Sequence, residues 1–297
     1  MRDFLAIVEK SRQSLNAGVI GMNFRNRHMV DYLNSRPEMA VARDKIATKE
    51  RLTQYGIATP ATLITIRRGR DIGKAIDGLE SLKKPFVVKP SRSARGRGIL
   101  LCSSIDTEGI TKLSGEHLPR EELIFHLHQI LHGEFSFGRP SDTILIEEMV
   151  TPDRNWILKG LPGPPDLRIV VCMGKILLAM ARLPTSSSDG RANLHCGAVG
   201  VGIDPSDGKT RGGVLLDRPV ENHPDLDVSL DGHSVEDFDK CMDLALRCCE
   251  AFQLGFMGVD IMRDVESGPM VIEVNARPGL GLQIANRTGI LRGEQLT

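Results

Sequence analysis

Several kinds of signal are missing from this 297-residue chain, and each absence removes a class of function. Neither charge is in excess, with 38 Lys and Arg against 38 Asp and Glu, so composition gives no electrostatic case for a nucleic-acid or acidic-membrane partner. The cysteines, Cys102, Cys172, Cys196, Cys241, Cys248 and Cys249, contain no Cys-x-x-Cys pair and lack the density of a disulfide scaffold. No apolar run approaches a membrane span, and the first ten residues lack the continuous apolar core of a signal peptide. A reduced, cytoplasmic setting is the expectation. The spacing of a P-loop is absent, and no Ser-His-Asp constellation or activated cysteine points to a covalent enzyme intermediate. His128 and His132 have the spacing of one helix face, but no third metal ligand accompanies them. What remains is a chain with 41% hydrophobic residues, enough to bury the core of a multilobed enzyme.

The most informative stretch lies near the end. Gly258 to Met262 and Val271 to Gly279 read as two strands, with Arg263 to Pro269 supplying a turn. If Asp260 faces Glu273 across the ladder, the period of two brings Asn275 to the same face, while Val259, Ile261, Ile272 and Val274 point into a core. Opposed carboxylates repel, and a hard divalent cation with oxygen ligands relieves them. Mg²⁺ shared with substrate phosphates fits this ligand count. A solvated hairpin face is the plain alternative.

A second signal lies upstream. Lys84 to Pro90 reads as a strand, Ser91 to Gly98 as a basic glycine-bearing loop and Ile99 to Cys102 as the returning strand. Gly96 and Gly98 would let backbone N–H groups approach phosphate oxygens, while Ser91, Ser93 and the arginines add donors and charge. Lys89 ends an apolar strand, where its ammonium needs an anion, and a nucleotide phosphate is a natural one. A surface hairpin is the alternative here.

Elsewhere, residues 1 to 55 read as mainly helical, with a break near Arg36-Pro37 and a helix from Asp44 ending at Gly56. Pro152 to Pro165 reads as an inserted loop, and Thr185 to Gly190 as a mobile one. Val235 to Phe252 has helical periodicity through Phe238, Met242, Ala245 and Cys249. Alternation would put Arg191, Asn193 and His195 on one extended face, with His195 serving either a structural hydrogen bond or the substrate.

Taken in order, Arg43-Asp44-Lys45 with Gly56 to Pro60, Lys84 to Gly98, Ile144 to Glu148, Asp166-Leu167-Arg168, Arg191 to His195 and the terminal hairpin resemble the ATP-grasp superfamily, within it the alpha-L-glutamate ligase branch. The resemblance covers about residues 42 to 290. Gly21 to Arg27 is similar to ATP-grasp proteins associated with sugar transfer. The resemblance implies an α+β ATP-grasp fold of two lobes with ATP between them, after a short helical N-terminal segment. The segment would span 1–41, the small lobe 42–150 and the large lobe 151–297. The glutamate ligases carry a longer preceding domain than these 41 residues.

It also implies roles. Lys45 and Lys89 match lysines that contact ATP phosphates, with Ser91, Gly96 and Gly98 in the phosphate loop. Glu147, Glu148 and Val150 match the segment that reads adenine through its backbone, and Asp166 an acid that accepts ribose hydroxyls. Asn193 would neighbour metal or phosphate. Asp260, Glu273 and Asn275 match ligands of Mg²⁺, or Mn²⁺ in its place. Arg168, Arg182 and Arg277 would supply positive charge where an acyl phosphate forms, although glutamate ligases usually show a small residue at the place of Arg277. The implied activity is ATP-dependent joining of a carboxylate, from glutamate or another amino acid, to an amine through an acyl phosphate, with small-molecule or peptide substrates. A phosphotransferase and a catalytically silent nucleotide-binding regulator are the rivals.

Overall fold

A computed structural model describes residues 18–93, 97–136, 140–188 and 190–291, and these divide into two compact units. One holds residues 18–42, Arg51–Ala58 and 151–291; the other holds Arg43–Glu50 and Thr59–Val150. Each is α+β and built on an antiparallel sheet.

Met22–Phe24, Arg25–Val30 and Asp31–Leu33 run on as one helix, α1, whose middle takes the wider i→i+5 turn. It ends at Asn34, an extended residue with a buried side chain. The Asn34 amide donates to the carbonyls of Phe256 (2.7 Å) and Ala276 (2.9 Å) and accepts from Phe256 N–H (2.9 Å). One side chain thus completes backbone hydrogen bonds that no strand partner supplies, tying the N-terminal segment to the terminal hairpin. Pro37 then sits in the first turn of α2 (Arg36–Arg43), where its missing N–H costs nothing. Helix α3 (Lys45–Gln54) starts at Asp44, whose Oδ1 accepts from the N–H groups of Ile46 and Ala47, and it stops before Gly56, at φ +61°.

The Thr59–Val150 unit has strands β1 (Thr62–Ile66), β2 (Phe86–Pro90), β3 (Leu100–Ile105), β4 (Gly109–Lys112), β5 (His117–Pro119) and β6 (Ile144–Glu148), in the order β1-β6-β2-β3-β4-β5. Helices α4 (Ile72–Leu82) and α5 (Arg120–Leu131) bury Ile72, Ala75, Ile76 and Leu79, and Leu123, Leu127 and Ile130, at helical spacing in one core with Phe86, Val88, Ile144 and Ile146. The expected hairpin on either side of the basic loop is present: Phe86 pairs with Cys102 and Val88 with Leu100.

The larger unit carries β7 (Asp166–Cys172), β8 (Lys175–Leu183), β9 (Val199–Ile203), β10 (Thr210–Leu215), β11 (Arg218–Val220), β12 (Phe256–Asp264) and β13 (Gly268–Asn275), in the order β11-β10-β9-β8-β7-β12-β13. Helix α6 (Phe238–Phe252) shares its core. Its fully buried stripe is Phe238, Cys241, Leu244, Ala245, Cys248, Ala251 and Phe252, so Met242 and Cys249 lie at the margin of the face rather than its centre. A short α7 (Gly281–Ala285) follows. Residues 152–165 hold no regular strand or helix, yet Trp156, Ile157, Leu158 and Leu161 are buried and the Trp156 indole donates to Glu236 O at 2.7 Å.

Two local readings need correction. The hairpin turn is Val265 to Ser267, so Gly268 and Pro269 belong to β13, and the Asp264 carboxylate closes the turn by accepting from Glu266 and Ser267 N–H groups. A bulge then breaks the period of two: Asp260 pairs with Glu273 but Ile261 with Val271, so Val271 fills the core in place of Ile272. The described part of Thr185 to Gly190 is a hydrogen-bonded turn. Thr185 and Ser188 are buried, Ser188 Oγ both accepts from Thr185 N and donates to Thr185 O, and Thr185 Oγ1 donates to Gly197 O.

Candidate functional site

Strand pairing assembles a charged row on one face of the seven-stranded sheet. Arg168 on β7 lies opposite Asp260 on β12, and Asp260 lies opposite Glu273 on β13. Two residues to one side, Arg182 on β8 pairs with Asp166 on β7, and two residues to the other side Gly258 on β12 pairs with Asn275 on β13. Directly paired residues of an antiparallel ladder share a face, so Asp166, Arg168, Arg182, Asp260, Glu273 and Asn275 all do. The alternating residues Leu167, Ile169, Ala181, Val259 and Val274 join the core with α6.

Four of these side chains form a closed network. Arg168 grips both oxygens of Asp260, Nη2 to Oδ2 at 2.6 Å, and Arg182 adds Nη2 to the same Oδ2 at 2.9 Å. Arg182 also makes a two-pronged bond to Asp166, Nε to Oδ1 at 2.6 Å and Nη2 to Oδ2 at 2.5 Å. Two guanidiniums balance two carboxylates, which is what permits Asp260, only 3% exposed, to remain charged. Burial pushes its carboxyl up, but Arg168 and Arg182 outweigh this and hold it below the ordinary carboxylate range. Burial pushes Asp166 up to about 6, with Arg182 offsetting part of the effect and the charge of Asp260 adding to it.

The outer end of the row is different. Glu273 is exposed, and among the described residues no ion pair or hydrogen bond engages its carboxylate. The Asn275 amide nitrogen is buried without a hydrogen-bond partner. Gly258 makes room at this end, because a Cβ there would come within 2.8 Å of Pro278 Cβ and 3.3 Å of Arg168 Cδ. The chain leaving β13 can therefore fold back past β12. Among the described residues no three His, Cys, Asp or Glu side chains gather as metal ligands, so a cation here would depend on the amide of Asn275.

The other unit holds a separate charged cluster. Glu147 on β6 is 3% exposed and is bound by the ammonium groups of Lys89 and, at 2.7 Å, Lys49. Lys49 also donates to Thr59 Oγ1 and Pro60 O. Burial raises the Glu147 carboxyl, but Lys89 and Lys49 together hold it below its ordinary range. Burial pushes Lys49 down, and the charge of Lys89 adds to that while Glu147 opposes it. Beside it, Ser91 is buried and donates to Asp44 Oδ1 at 2.6 Å, Arg92 donates to Asp44 Oδ2, and Lys45 Nζ donates to Ser93 O at 2.7 Å. The cap of α3 thereby anchors the start of the basic loop. At the loop's far limb, Gly98 has φ +72°, a Cβ there would meet the Phe135 ring at 2.6 Å, and its carbonyl accepts from His126 Nε2 at 3.1 Å.

The profile of the sugar-transfer associated ATP-grasp family matches residues 24–296. The chain belongs to that family. Among curated relatives it is 24% identical over 291 residues to a probable alpha-L-glutamate ligase of Mannheimia succiniciproducens, covering 97% of this chain and 73% of that one. A probable alpha-L-glutamate ligase of Xanthomonas oryzae pv. oryzae is 28% identical over 240 residues, 80% of this chain and 58% of the relative. This chain thus spans from under three fifths to under three quarters of the relatives' lengths. Among solved structures, the ATP complex of D-alanine–D-alanine ligase from Bacillus anthracis aligns with a TM-score of 0.48 at 19% identity, over 83% of this chain and 58% of that one.

Within this ATP-grasp chain the expected residues fall into distinct settings. Asp260, Glu273, Asn275, Arg168, Arg182 and Asp166 come together as described. Arg277 is exposed beyond the end of β13, with Asp31 at 3.8 Å. Lys45, Lys89, Ser91 and Gly98 lie about the basic loop, and Gly96 is outside the described residues. Glu148 donates its backbone N–H to Ala61 O, its carboxylate accepts from Lys84 Nζ at 3.3 Å, and Val150 follows β6 half-buried. The anion that Lys89 requires is supplied by Glu147. The extended Arg191-to-His195 face is not formed: Leu194–Cys196 is a 3₁₀ turn capped by Asn193, whose Oδ1 accepts His195 N–H at 3.0 Å, and His195 is exposed. A residue poised to cap a turn overrides alternation. Two participants carry no role in the sequence reading: Lys49 stands four residues after Lys45 on one helix face, and His126 gives no local signal. Asp44 is read there only as part of the Arg43-Asp44-Lys45 motif and as the start of a helix.

Proposed function

We propose that this ATP-grasp chain is an ATP-dependent carboxylate–amine ligase. The observation that carries the reading is the β12–β13 edge, where Glu273 and the Asn275 amide stand unengaged beside a neutralised Arg–Asp network. An amide can turn its oxygen toward a cation, and a carboxylate with an amide oxygen is a hard donor set, so the two fit Mg²⁺. Asp260 already carries two guanidiniums, and it serves this set from behind by fixing Arg168 and Arg182 rather than as an open ligand. A cation held there would supply charge stabilisation to phosphate oxygens.

Lys45, Lys89 and the Ser91-to-Gly98 loop are assigned to the ATP phosphates, the Glu147-to-Val150 segment to adenine and Asp166 to ribose. A substrate carboxylate oxygen attacks the γ-phosphorus, the bond to the β-phosphate oxygen breaks, and ADP leaves. An amine then attacks the acyl carbon of the acyl phosphate and inorganic phosphate departs. Arg168, Arg182 and Arg277 stabilise the charge that develops; the protein's work is positioning and electrostatics. ADP release measured with pooled carboxylates and amines tests this. A ligase requires both co-substrates for turnover, ADP release with a hydroxyl acceptor alone means a phosphotransferase, and nucleotide binding without turnover means a regulator.

A further inference from the structure

We propose that Lys49 is a positioning residue of the nucleotide site: it holds the Glu147 carboxylate so that the Lys89 ammonium can leave that acid for a phosphate. This role rests on the reading of Lys89 as a phosphate contact. Two lysines share one buried acid, Lys89 on Oε1 and Lys49 on Oε2 at 2.7 Å, and they are held very differently. All three N–H groups of the Lys49 ammonium have acceptors: Glu147 Oε2, Thr59 Oγ1 at 3.3 Å and Pro60 O. Among the described residues Lys89 has Glu147 alone, which leaves two of its three donors uncommitted.

The elements explain the asymmetry. Glu147 on β6 pairs with Val87 on β2, so Lys89, two residues further along β2, stands diagonally from the acid on the same face, just before the basic loop begins at Ser91. Lys49 arrives instead from α3, one turn after Lys45, whose Nζ donates to Ser93 O in that loop. One face of α3 therefore anchors both the loop and the acid. With its side chain only 4% exposed, the Glu147 carboxylate needs a cation to stay charged. Were Lys89 its only partner, moving that ammonium to a phosphate would strand the charge in the interior, and nucleotide affinity would fall by that cost. Lys49 removes the competition. Two ammonium groups on one carboxylate leave one positive charge over, and the less anchored group is the one that carries it to an anion. Glu147 is thus the resting partner of Lys89 without nucleotide, and Lys49 is the cation that stays.

The test uses the full chain and two probes, β,γ-imido-ATP followed by calorimetry and adenosine, which has no phosphate, followed by ligand-observed NMR. Lys49→Met is expected to weaken the ATP analogue at least about tenfold and to leave adenosine unchanged, because only the phosphate contact depends on releasing Lys89. Adenosine weakened as much as the analogue overturns the proposal, since Lys49 would then only shape the surroundings of adenine. Removing the acid as well, in Lys49→Met with Glu147→Gln, leaves Lys89 no charge to abandon and is expected to return the analogue's affinity to within about threefold of the parent's. This double variant also carries the test if Lys49→Met alone unfolds, and a loss of about tenfold or more in it overturns the proposal. A parent chain that binds the analogue while Lys49→Met binds it equally well overturns the role of Lys49 and leaves nucleotide binding standing. A parent chain that binds neither probe overturns the phosphate assignment and this role together.

Discussion

Asp260 and Glu273 face each other directly across the β12–β13 ladder, yet Asp260 lies buried under two guanidiniums while Glu273 is exposed with no partner among the described residues. The two acids should therefore fail differently. Glu273→Gln removes a charge from the proposed cation edge and nothing from the core, so turnover should fall at least about a hundredfold while the unfolding midpoint holds. Asp260→Asn strips the counter-charge from Arg168 and Arg182 and should cost roughly 3–5 kcal/mol of stability. Denaturant unfolding beside ADP release separates them, and near-normal turnover of Glu273→Gln at ordinary Mg²⁺ would remove the hairpin from the site.

Glu147 gives a parallel contrast in the other unit. Lys89→Met keeps most of the apolar stem and leaves Glu147 its bond to Lys49, so the fold should persist while ATP affinity or the chemical step suffers. Glu147→Gln instead leaves two ammonium groups together around a buried position and should lower the unfolding midpoint more than Lys89→Met does. ATP titration and thermal unfolding of both variants check this, and the reverse order of stabilities would refute it.

Acid pH should weaken the anchor between α3 and the basic loop. Burial raises the Asp44 carboxyl, but bonds from Ser91, the Ala47 N–H and Arg92 outweigh it and leave the folded value below the ordinary 3.8. For an acid with a lowered folded value, the stabilisation is complete above 3.8 and is lost as pH falls through the lower folded value. Asp44→Asn keeps a cap oxygen and lacks the charge, so its stability should fall less steeply than the parent's on acidification below that point. Equal slopes for the two proteins in chemical unfolding would count against the assignment.

Gly98→Ala should disturb the same loop from its other limb. The new methyl meets the Phe135 ring and the backbone keeps a positive φ, together costing roughly 1–3 kcal/mol. ATP affinity should drop with stability, measured by nucleotide titration and thermal unfolding; an unchanged midpoint would show that the ring moves aside freely.

Strand periodicity was enough to place Asp260 opposite Glu273 and to join β2 to β3, because a ladder with one apolar face fixes its own register. It failed where a side chain or an extra residue replaced a ladder contact. The bulge exchanged Ile272 for Val271, and the Asn193 cap turned an expected strand into a 3₁₀ turn. Long-range partners were less legible still. Nothing near Lys89 in the chain announces that Lys49 and Glu147 will share its charge, and nothing near Asn34 announces bonds to Phe256 and Ala276. Such partners are set by the packing of distant elements, and a spacing rule reads only neighbours on one element.

Arg182 decides whether the buried network serves chemistry or only folding. Arg182→Met should be severely destabilising, by about 3–5 kcal/mol, since it leaves Asp166 buried without its guanidinium partner near Asp260, which keeps only Arg168. Replacing both members of the bidentate pair, Arg182→Met with Asp166→Leu, removes a charge of each sign and leaves Arg168 on Asp260. Replacing a buried pair by apolar groups of similar volume is often neutral, so most of the lost stability should return in the double variant. Turnover should not return with it, because the charge assigned to the developing acyl phosphate and the acid assigned to ribose are both missing. Unfolding and ADP release measured on the single and double variants give the answer: stability and turnover recovering together would make Arg182 a structural residue alone.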